Sequence, residues 1–332
     1  MVLPSRPPTP GSHTSRRFLV AVREERDLAL AVAVARRHYE QHQAKTDIAE
    51  ALGISRFKVA RLLDLAHEAG VVRIEIVEPD ARDGRLSEDL RARFSLEHVL
   101  VAPISSTAPD VRAELGRAAA GLLGRVLRPD DVLGLPWSRA VHDMVYALEA
   151  LPPVEIVQLS GALVGISEDS SSVDLVRRAG RMSGGGRRMF FAPLVMPDAA
   201  AAEAVRRDPA VSGTLAAADQ VTVAVVGVGA WAPGQSTIYD AVDEDCRQRV
   251  SEAGVVGEAV GACFDARGEL VRTCLSERLI ALSPDQLRGI DRVVAVAHGE
   301  GKVEALRAAM TGDLINGLVT TYDTAQALLG RA

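Results

Sequence analysis

At 332 residues the chain exceeds the usual size of one domain and has room for a small and a large unit. Hydrophobic residues at 48% and charged residues at 25% describe an ordinary soluble globular protein, and no apolar run approaches the length needed to span a bilayer. A net charge of −6 excludes a uniformly basic nucleic-acid coat, and 4% aromatic residues argue against a base-stacking surface for single strands.

In chain order, the opening MVLPSRPPTPGSHTSRR lacks the apolar centre of a signal peptide, so residues 1–20 read as a disordered tail and the compartment as the cytoplasm. From about Val22 to His42 the pattern is helical, with Leu28, Ala31, Val32, Ala35 and Tyr39 on one side. Arg36, Arg37 and His42 are available for phosphate contact, or for nothing more than a solvated face. From Thr46 to Gly70 the spacing is that of a helix-turn-helix. Ile48, Ala49 and Leu52 form one apolar face, Gly53 marks a sharp turn, and Ser55 can cap a second helix in which Val59, Leu62, Leu63 and Ala66 recur. Thr46, Ser55, Arg56, Phe57, Lys58 and Arg61 are then left for double-stranded DNA, because such a second helix enters the major groove with its first residues towards base edges. Two amphipathic helices of an ordinary helical domain are the plainer alternative. Residues 1–80 hold 12 Lys and Arg against 11 Asp and Glu, so the acid lies in the remainder. A nearly neutral reading head binds weakly alone, since affinity grows with phosphates neutralised, and self-association on a palindromic site is implied.

After Gly70, residues 71–77 alternate towards a strand, which suggests a wing, and Pro79 to Arg85 reads as the boundary. The helix-turn-helix domain is therefore expected over 21–79 and a second domain over 80–332. Beyond the boundary, strands and helices alternate in the manner of a parallel sheet covered on both faces. Strands are expected at 99–102, 131–137, 155–159, 188–192, 220–226, 255–264, 292–297 and 318–321. Helices are expected at 111–127, 139–151 and 324–329, the last capped by Asp323.

Ligands of such sheets sit at the carboxyl ends of the strands, where loops and helix starts meet. Those ends carry Trp137, Ser138 and Arg139; Gly161 and Ala162; Gly227 and Gly229; and His298, Gly299 and Lys302. Lys302 is one of three lysines, beside Lys45 and Lys58, in an arginine-rich chain. Each candidate has an ordinary alternative: the glycines can simply turn the chain, His298 can be a structural side chain, and Asp265 and Asp323 can belong to turns and caps. Gly227-Val228-Gly229 lacks the continuation of a dinucleotide fingerprint, and PGQST at 233–237 lacks the lysine of a P-loop. Cys246, Cys263 and Cys274 form no C-x-x-C pair and fit a reducing compartment, and the seven histidines show no metal-ligand spacing. No cofactor is expected.

Taken together, DIAEALGISRFKVARLLDLAHEAGVVRI at 47–74, LGRAAAGLL at 115–123, VLGLPW at 132–137, IVQLSG at 156–161, VGVG at 226–229 and VVAVAHGEGKVEAL at 293–306 resemble, in that order, the SorC family of sugar-binding transcriptional regulators. The resemblance runs from about Leu28 to Leu329. It implies a small helix-turn-helix domain, a Rossmann-like effector domain related in fold to sugar-phosphate isomerases, assembly as dimers or tetramers, and a sugar, polyol or sugar phosphate as effector. The sequence departs from the family where the effector belongs. Ser138 and Ala140 stand in place of the Gly and Thr of Trp-Gly-x-Thr, His298-Gly299 stands where Gly-Gly is usual, and Thr321-Tyr322 replaces an acidic pair. Lys302 is retained. The alternative function is a sugar-phosphate isomerase with an appended helical domain, for which Asp265, His298 and Glu300 offer acid and base groups without diagnostic spacing.

Overall fold

The computed structural model describes residues 27–41, 43–72, 81–163 and 171–331. Contacts divide the chain into two compact units, Met1–Glu78 and Pro79–Ala332. The expected tail over 1–20, the helix start at Val22, His42, the strand beyond Val72 and the boundary at Pro79 lie outside the described residues.

In the first unit, helix α1 covers residues 27–35 and passes into a π-helical turn, Arg36–Glu40. Helices α2, Lys45–Leu52, and α3, Arg56–Glu68, follow. Gly53 turns the chain between them at φ 61°, a left-handed conformation that costs glycine little. The Ser55 hydroxyl accepts the Lys58 N–H at 3.2 Å, which caps α3. Ala31, Val34 and Ala35 close on Ile48, Ala49, Val59, Leu62, Leu63 and Ala66. Sequence spacing puts Leu28 and Tyr39 on that inward side, yet both are exposed. The inward stripe is the tighter set 31, 34 and 35, and the extra residue of the π-turn carries Tyr39 round to meet His67 Nε2 at 3.1 Å.

The second unit contains, in order, α4 (Ala81–Phe94), β1 (His98–Ala102), α5 (Val111–Val126), β2 (Val132–Leu135), α6 (Arg139–Ala147), β3 (Glu155–Gln158), α7 (Ser172–Ser183), β4 (Arg187–Arg188), α8 (Ala199–Arg206), α9 (Pro209–Ala216), β5 (Val223–Val226), β6 (Val228–Ala230), α10 (Thr237–Ala241), α11 (Glu244–Glu252), β7 (Gly257–Ala259), β8 (Ala262–Phe264), α12 (Pro284–Arg288), β9 (Arg292–Val296), α13 (Val303–Thr311), β10 (Gly317–Thr321) and α14 (Tyr322–Leu329). Seven strands pair in the order β1-β10-β9-β5-β2-β3-β4, all parallel, while β6, β7 and β8 make a small antiparallel sheet. Alternate residues of the parallel strands feed two cores. Val157, Ala224, Val226, Val293, Ala295 and Leu318 face α4, α13 and α14, whereas Leu133, Ile156, Val223, Val225, Val294 and Val319 face α5, α6 and α7.

Four expectations need correction. Helix α4 begins at Ala81, inside the stretch read as a boundary loop. The apolar run 255–264 is a hairpin, not one strand, because Val260 and Gly261 turn it at φ 52° and 85°. The strand expected at 188–192 shrinks to Arg187–Arg188, since the chain beyond makes only isolated bridges, Ala162 to Pro193 and Val195 to Leu279. Asp323 does not cap α14. Thr321 is the N-cap residue; Asp323 sits in the first turn, where it accepts the Thr324 N–H at 3.0 Å, and it also accepts from Ser106 N at 2.9 Å and Ser106 Oγ at 2.5 Å, tying down the loop after β1.

Helix α6, whose first residues reach the candidate site, is positioned by close approach to α5. A Cβ on Gly116 of α5 would lie 2.7 Å from the Asp143 carbonyl carbon and 2.8 Å from its oxygen, both backbone atoms. Alanine normally gains about 1 kcal/mol over glycine within a helix. Here the clash dominates, so Gly116→Ala is expected to destabilise the protein by roughly 1–3 kcal/mol; urea unfolding that shows equal or greater stability would contradict this packing.

Candidate functional site

Strand β2 connects through α6 to β3 on one side of it, while β5, its other neighbour, leads to β9 on the opposite side. Divergence of two adjacent strands opens a crevice at their carboxyl ends, the usual ligand position in an open parallel sheet. Here that crevice is a cleft enclosing about 90 Å³, with Trp137, Ser138 and Arg139 following β2 and Gly227, Val228 and Gly229 following β5. Lys302 and Glu258 also line it.

Glycine is required where the two strand ends meet. A Cβ on Gly227 would stand 2.9 Å from Ser138 Oγ, and one on Gly229 would stand 2.4 Å from Glu258 Oε1. Ser138 caps α6 by accepting the Val141 N–H at 3.1 Å. The positive end of that nine-residue helix thus points to the cleft beside the Arg139 guanidinium, whose nearest acid, Asp240, is 4.0 Å away.

Across the cleft, Glu258 is buried at 6% exposure on β7. Its carboxylate accepts from Ser236 Oγ at 2.8 Å and from Gly261 N at 3.1 Å. Burial pushes its pKa above the usual carboxylate range, against those two hydrogen bonds and the charge of Lys302. Lys302 is depressed by burial and by Arg139, while Glu258 pulls it up. Its ammonium donates to the Val228 carbonyl at 2.9 Å. The cleft floor therefore holds a buried acid and a half-buried base within Coulombic reach, each costly in isolation.

The remaining predicted residues lie outside the cleft lining. Gly161 and Ala162 use their backbone N–H groups on Ile280 O at 2.8 Å and Ala192 O at 2.9 Å, so they join segments, and Ser160 beside them lines the cleft instead. Asp265 accepts the Arg267 and Glu269 N–H groups at 2.9 and 3.0 Å within its own turn. Gly299 donates to Thr324 Oγ1 at 2.9 Å. His298 is held towards its neutral form by burial, Lys302 and Arg112, which outweigh Asp323, and its Nδ1 is buried without a hydrogen-bond partner. Among the described residues, no group of three or more His, Cys, Asp or Glu is placed to hold a metal ion.

Sequence reasoning missed Glu258, Gln235, Ser236 and Ile238 in the lining. A signal existed for Glu258: one acid inside the apolar run VVGEAVGACF has to be either paired or functional. Ser236 lay within PGQST, which carries no phosphate-loop lysine and so gave no other motif to follow.

In the first unit, Thr46, Ser55, Arg56, Phe57, Lys58 and Arg61 are all exposed, and Phe57 reaches 85%. Ser55, Phe57, Lys58 and Arg61 border one groove along α3. Thr46 lies in the first turn of α2, its hydroxyl bonded to Asp47 at 3.1 Å.

A helix-turn-helix unit followed by a parallel α/β unit with a cleft at its switch point defines a class: ligand-responsive transcriptional regulators. The family model described as "Putative sugar-binding domain" matches residues 80–330. Transcriptional regulator LsrR of Escherichia coli (strain K12) is 32% identical over 299 residues, spanning 88% of this chain and 92% of that protein. LsrR of Enterobacter sp. (strain 638) is 32% identical over 310 residues, covering 91% and 93% respectively. The crystal structure of the full-length sorbitol operon regulator SorC from Klebsiella pneumoniae superposes with a TM-score of 0.81 at 26% identity, covering 91% of this chain and 99% of that one. The chain belongs to the SorC family of sugar-binding transcriptional regulators. It is a DNA-binding regulator controlled by a sugar-type effector, and its relatives are named as regulators rather than enzymes.

Glu258 and Lys302 compensate each other, so removing either one leaves its partner's charge uncompensated in a site that water reaches poorly. Glu258→Gln and Lys302→Met should each destabilise the protein, and the double variant should lose less than their sum by roughly 0.5–3 kcal/mol. Denaturation of the four proteins at pH 7 measures this coupling, and strict additivity would remove it.

Proposed function

We propose that residues 21–79 form the DNA-binding domain and that 80–332 form the effector-binding and oligomerisation domain of a cytoplasmic regulator that acts on a palindromic operator. The effector is read as a phosphorylated sugar. The observation that carries this reading is the convergence of Arg139, Lys302 and the start of α6 on one switch-point cleft, a charge arrangement that suits an anion. Glu258 and Ser236 opposite are suited to sugar hydroxyls.

The bonds already made in the cleft add a mechanism. The cleft is half open, with Arg139 and Lys302 both in its lining. The Lys302 ammonium has three N–H donors, so it can keep the Val228 carbonyl while it donates to an anionic ligand, and the ligand is thereby joined to β6. The effector in this way favours one of two arrangements by differential affinity, which is all a ligand can do to an equilibrium. Two reading heads in one oligomer then respond together on the two half-sites.

A thermal-shift screen of sugars, polyols, their phosphates and inorganic phosphate against the full chain tests the effector class, since a ligand stabilises the folded form by mass action. Stabilisation by phosphorylated sugars is expected, with the parent sugars weaker. Arg139→Ala or Lys302→Ala should lower affinity for the active compound by roughly 10- to 100-fold, as for loss of a charge-assisted hydrogen bond, while DNA binding persists. An undiminished response in both variants would exclude the cleft.

For the head, Arg56→Ala or Arg61→Ala should weaken specific binding by roughly 1–3 kcal/mol where the side chain reads a base. Phe57→Ala should reduce discrimination between thymine and uracil at one operator position, because an exposed phenyl on a recognition helix suits the thymine methyl. Anisotropy titrations on a duplex selected from random DNA check both. An equal loss on random DNA would assign those residues to the phosphate backbone.

A further inference from the structure

The three cysteines are far apart in sequence but lie together beneath the cleft. Cys246, on α11, and Cys263, on β8, are buried; Cys274, in the turn Thr273–Ser276, is half-buried. Cys246 Sγ is 3.5 Å from Cys274 Sγ, although 28 residues separate them. Both positions are held locally: the Cys246 N–H donates to Asp243 Oδ1 at 2.8 Å, and the turn is closed by the Thr273 N–H on Ser276 Oγ at 3.0 Å. Cys263 Sγ points elsewhere, to the Gly261 carbonyl at 3.8 Å.

The surroundings distinguish the two sulfurs of the pair. Burial and the neighbouring Cys274 push the Cys246 thiol up to about 12, so it keeps its proton. Cys274 is the less buried residue of the pair. Arg249 lies within electrostatic reach of it, and Arg278 within reach of Cys246, with Asp245 and Asp243 as their acidic partners.

We propose that Cys274 and Cys246 form a peroxide-oxidisable dithiol that closes to a disulfide and staples α11 to the segment following β8. The Cys274 thiolate attacks one peroxide oxygen, the O–O bond breaks, hydroxide leaves, and Cys274 becomes a sulfenic acid. Cys246 then attacks the Cys274 sulfur. The S–S bond forms, the S–O bond breaks, and the hydroxyl departs with the Cys246 proton as water. Two thiols lose two electrons and one hydrogen peroxide is reduced to two waters. In reducing compartments such bonds are transient and sensing rather than structural. The staple lies in the same apolar cluster as Leu194 and Ile238, which line the cleft, so it stiffens one cleft wall. The disulfide itself stands independently of what the cleft binds.

The test uses the full chain with stoichiometric hydrogen peroxide, followed by thiol counting, non-reducing peptide mapping and thermal unfolding. Accessible thiols in denaturant should fall from three to one, the linked peptides should contain Cys246 and Cys274, and the melting temperature should rise by roughly 4–10 °C, all reversed by dithiothreitol. Cys263→Ala should behave as the parent does. Cys246→Ser should instead leave a sulfenic acid on Cys274 that dimedone labels. Three free thiols after peroxide, a linkage through Cys263, or a lowered melting temperature would each overturn the assignment.

Discussion

A buried acid facing a half-buried base at the floor of the cleft is the constraint on which the cleft depends. Glu258 is withdrawn from water and Lys302 partly so, and each raises the cost of the other's absence. The fold holds them there with groups that ordinary packing would not demand. Gly229 keeps its backbone clear of Glu258, Ser236 and the Gly261 N–H hold the carboxylate, and the Val228 carbonyl holds the ammonium. The small antiparallel sheet carries most of these groups, since Glu258 lies on β7, Gly261 in the turn to β8 and Val228 on β6. That hairpin therefore forms one wall of the polar cleft.

The parallel sheet supplies the other wall for a topological reason. Strands β2 and β5 are hydrogen-bonded neighbours whose onward connections leave in opposite directions, so the first residues beyond each stand apart over a gap. Gly227 lets the β5 end pass close to Ser138 at the start of α6. Close packing of α5 on α6 at Gly116 then fixes where that helix start lies. A glycine far from the cleft in sequence thus sets the height of the Arg139 side of it.

Much of this was legible in the sequence, and the parts that were not have definite physical reasons. The head could be read because its signals are local: Gly53 turns, Ser55 caps, and the apolar stripe has helical spacing. The strand ends could be read because glycine and small polar residues interrupt apolar runs there, and Trp137, Ser138, Arg139, Gly227, Gly229 and Lys302 do converge. The hairpin within 255–264 was hidden because a valine, Val260, occupies a left-handed position where glycine or asparagine usually signals a turn. Gly161 and Ala162 end a strand like the others, but Ile280 claims the Gly161 N–H and the chain at 192–194 claims the backbone groups of Ala162, long-range events that no local pattern announces. The Cys246–Cys274 approach is hidden for the same reason, with 28 residues and two strands between the sulfurs.

The bond that Lys302 already makes bears on control. A ligand shifts an equilibrium only by as much as its affinity differs between the two states. The Lys302 ammonium is bonded to the Val228 carbonyl of β6 and has further N–H donors to offer, so in the proposed site one cation joins the ligand to the wall that carries Glu258. A ligand held by that cation has unequal affinity for arrangements that place β6 differently. That difference is the coupling free energy of the proposed mechanism, and it is reciprocal: the arrangement that the effector favours is the one that binds the effector more tightly.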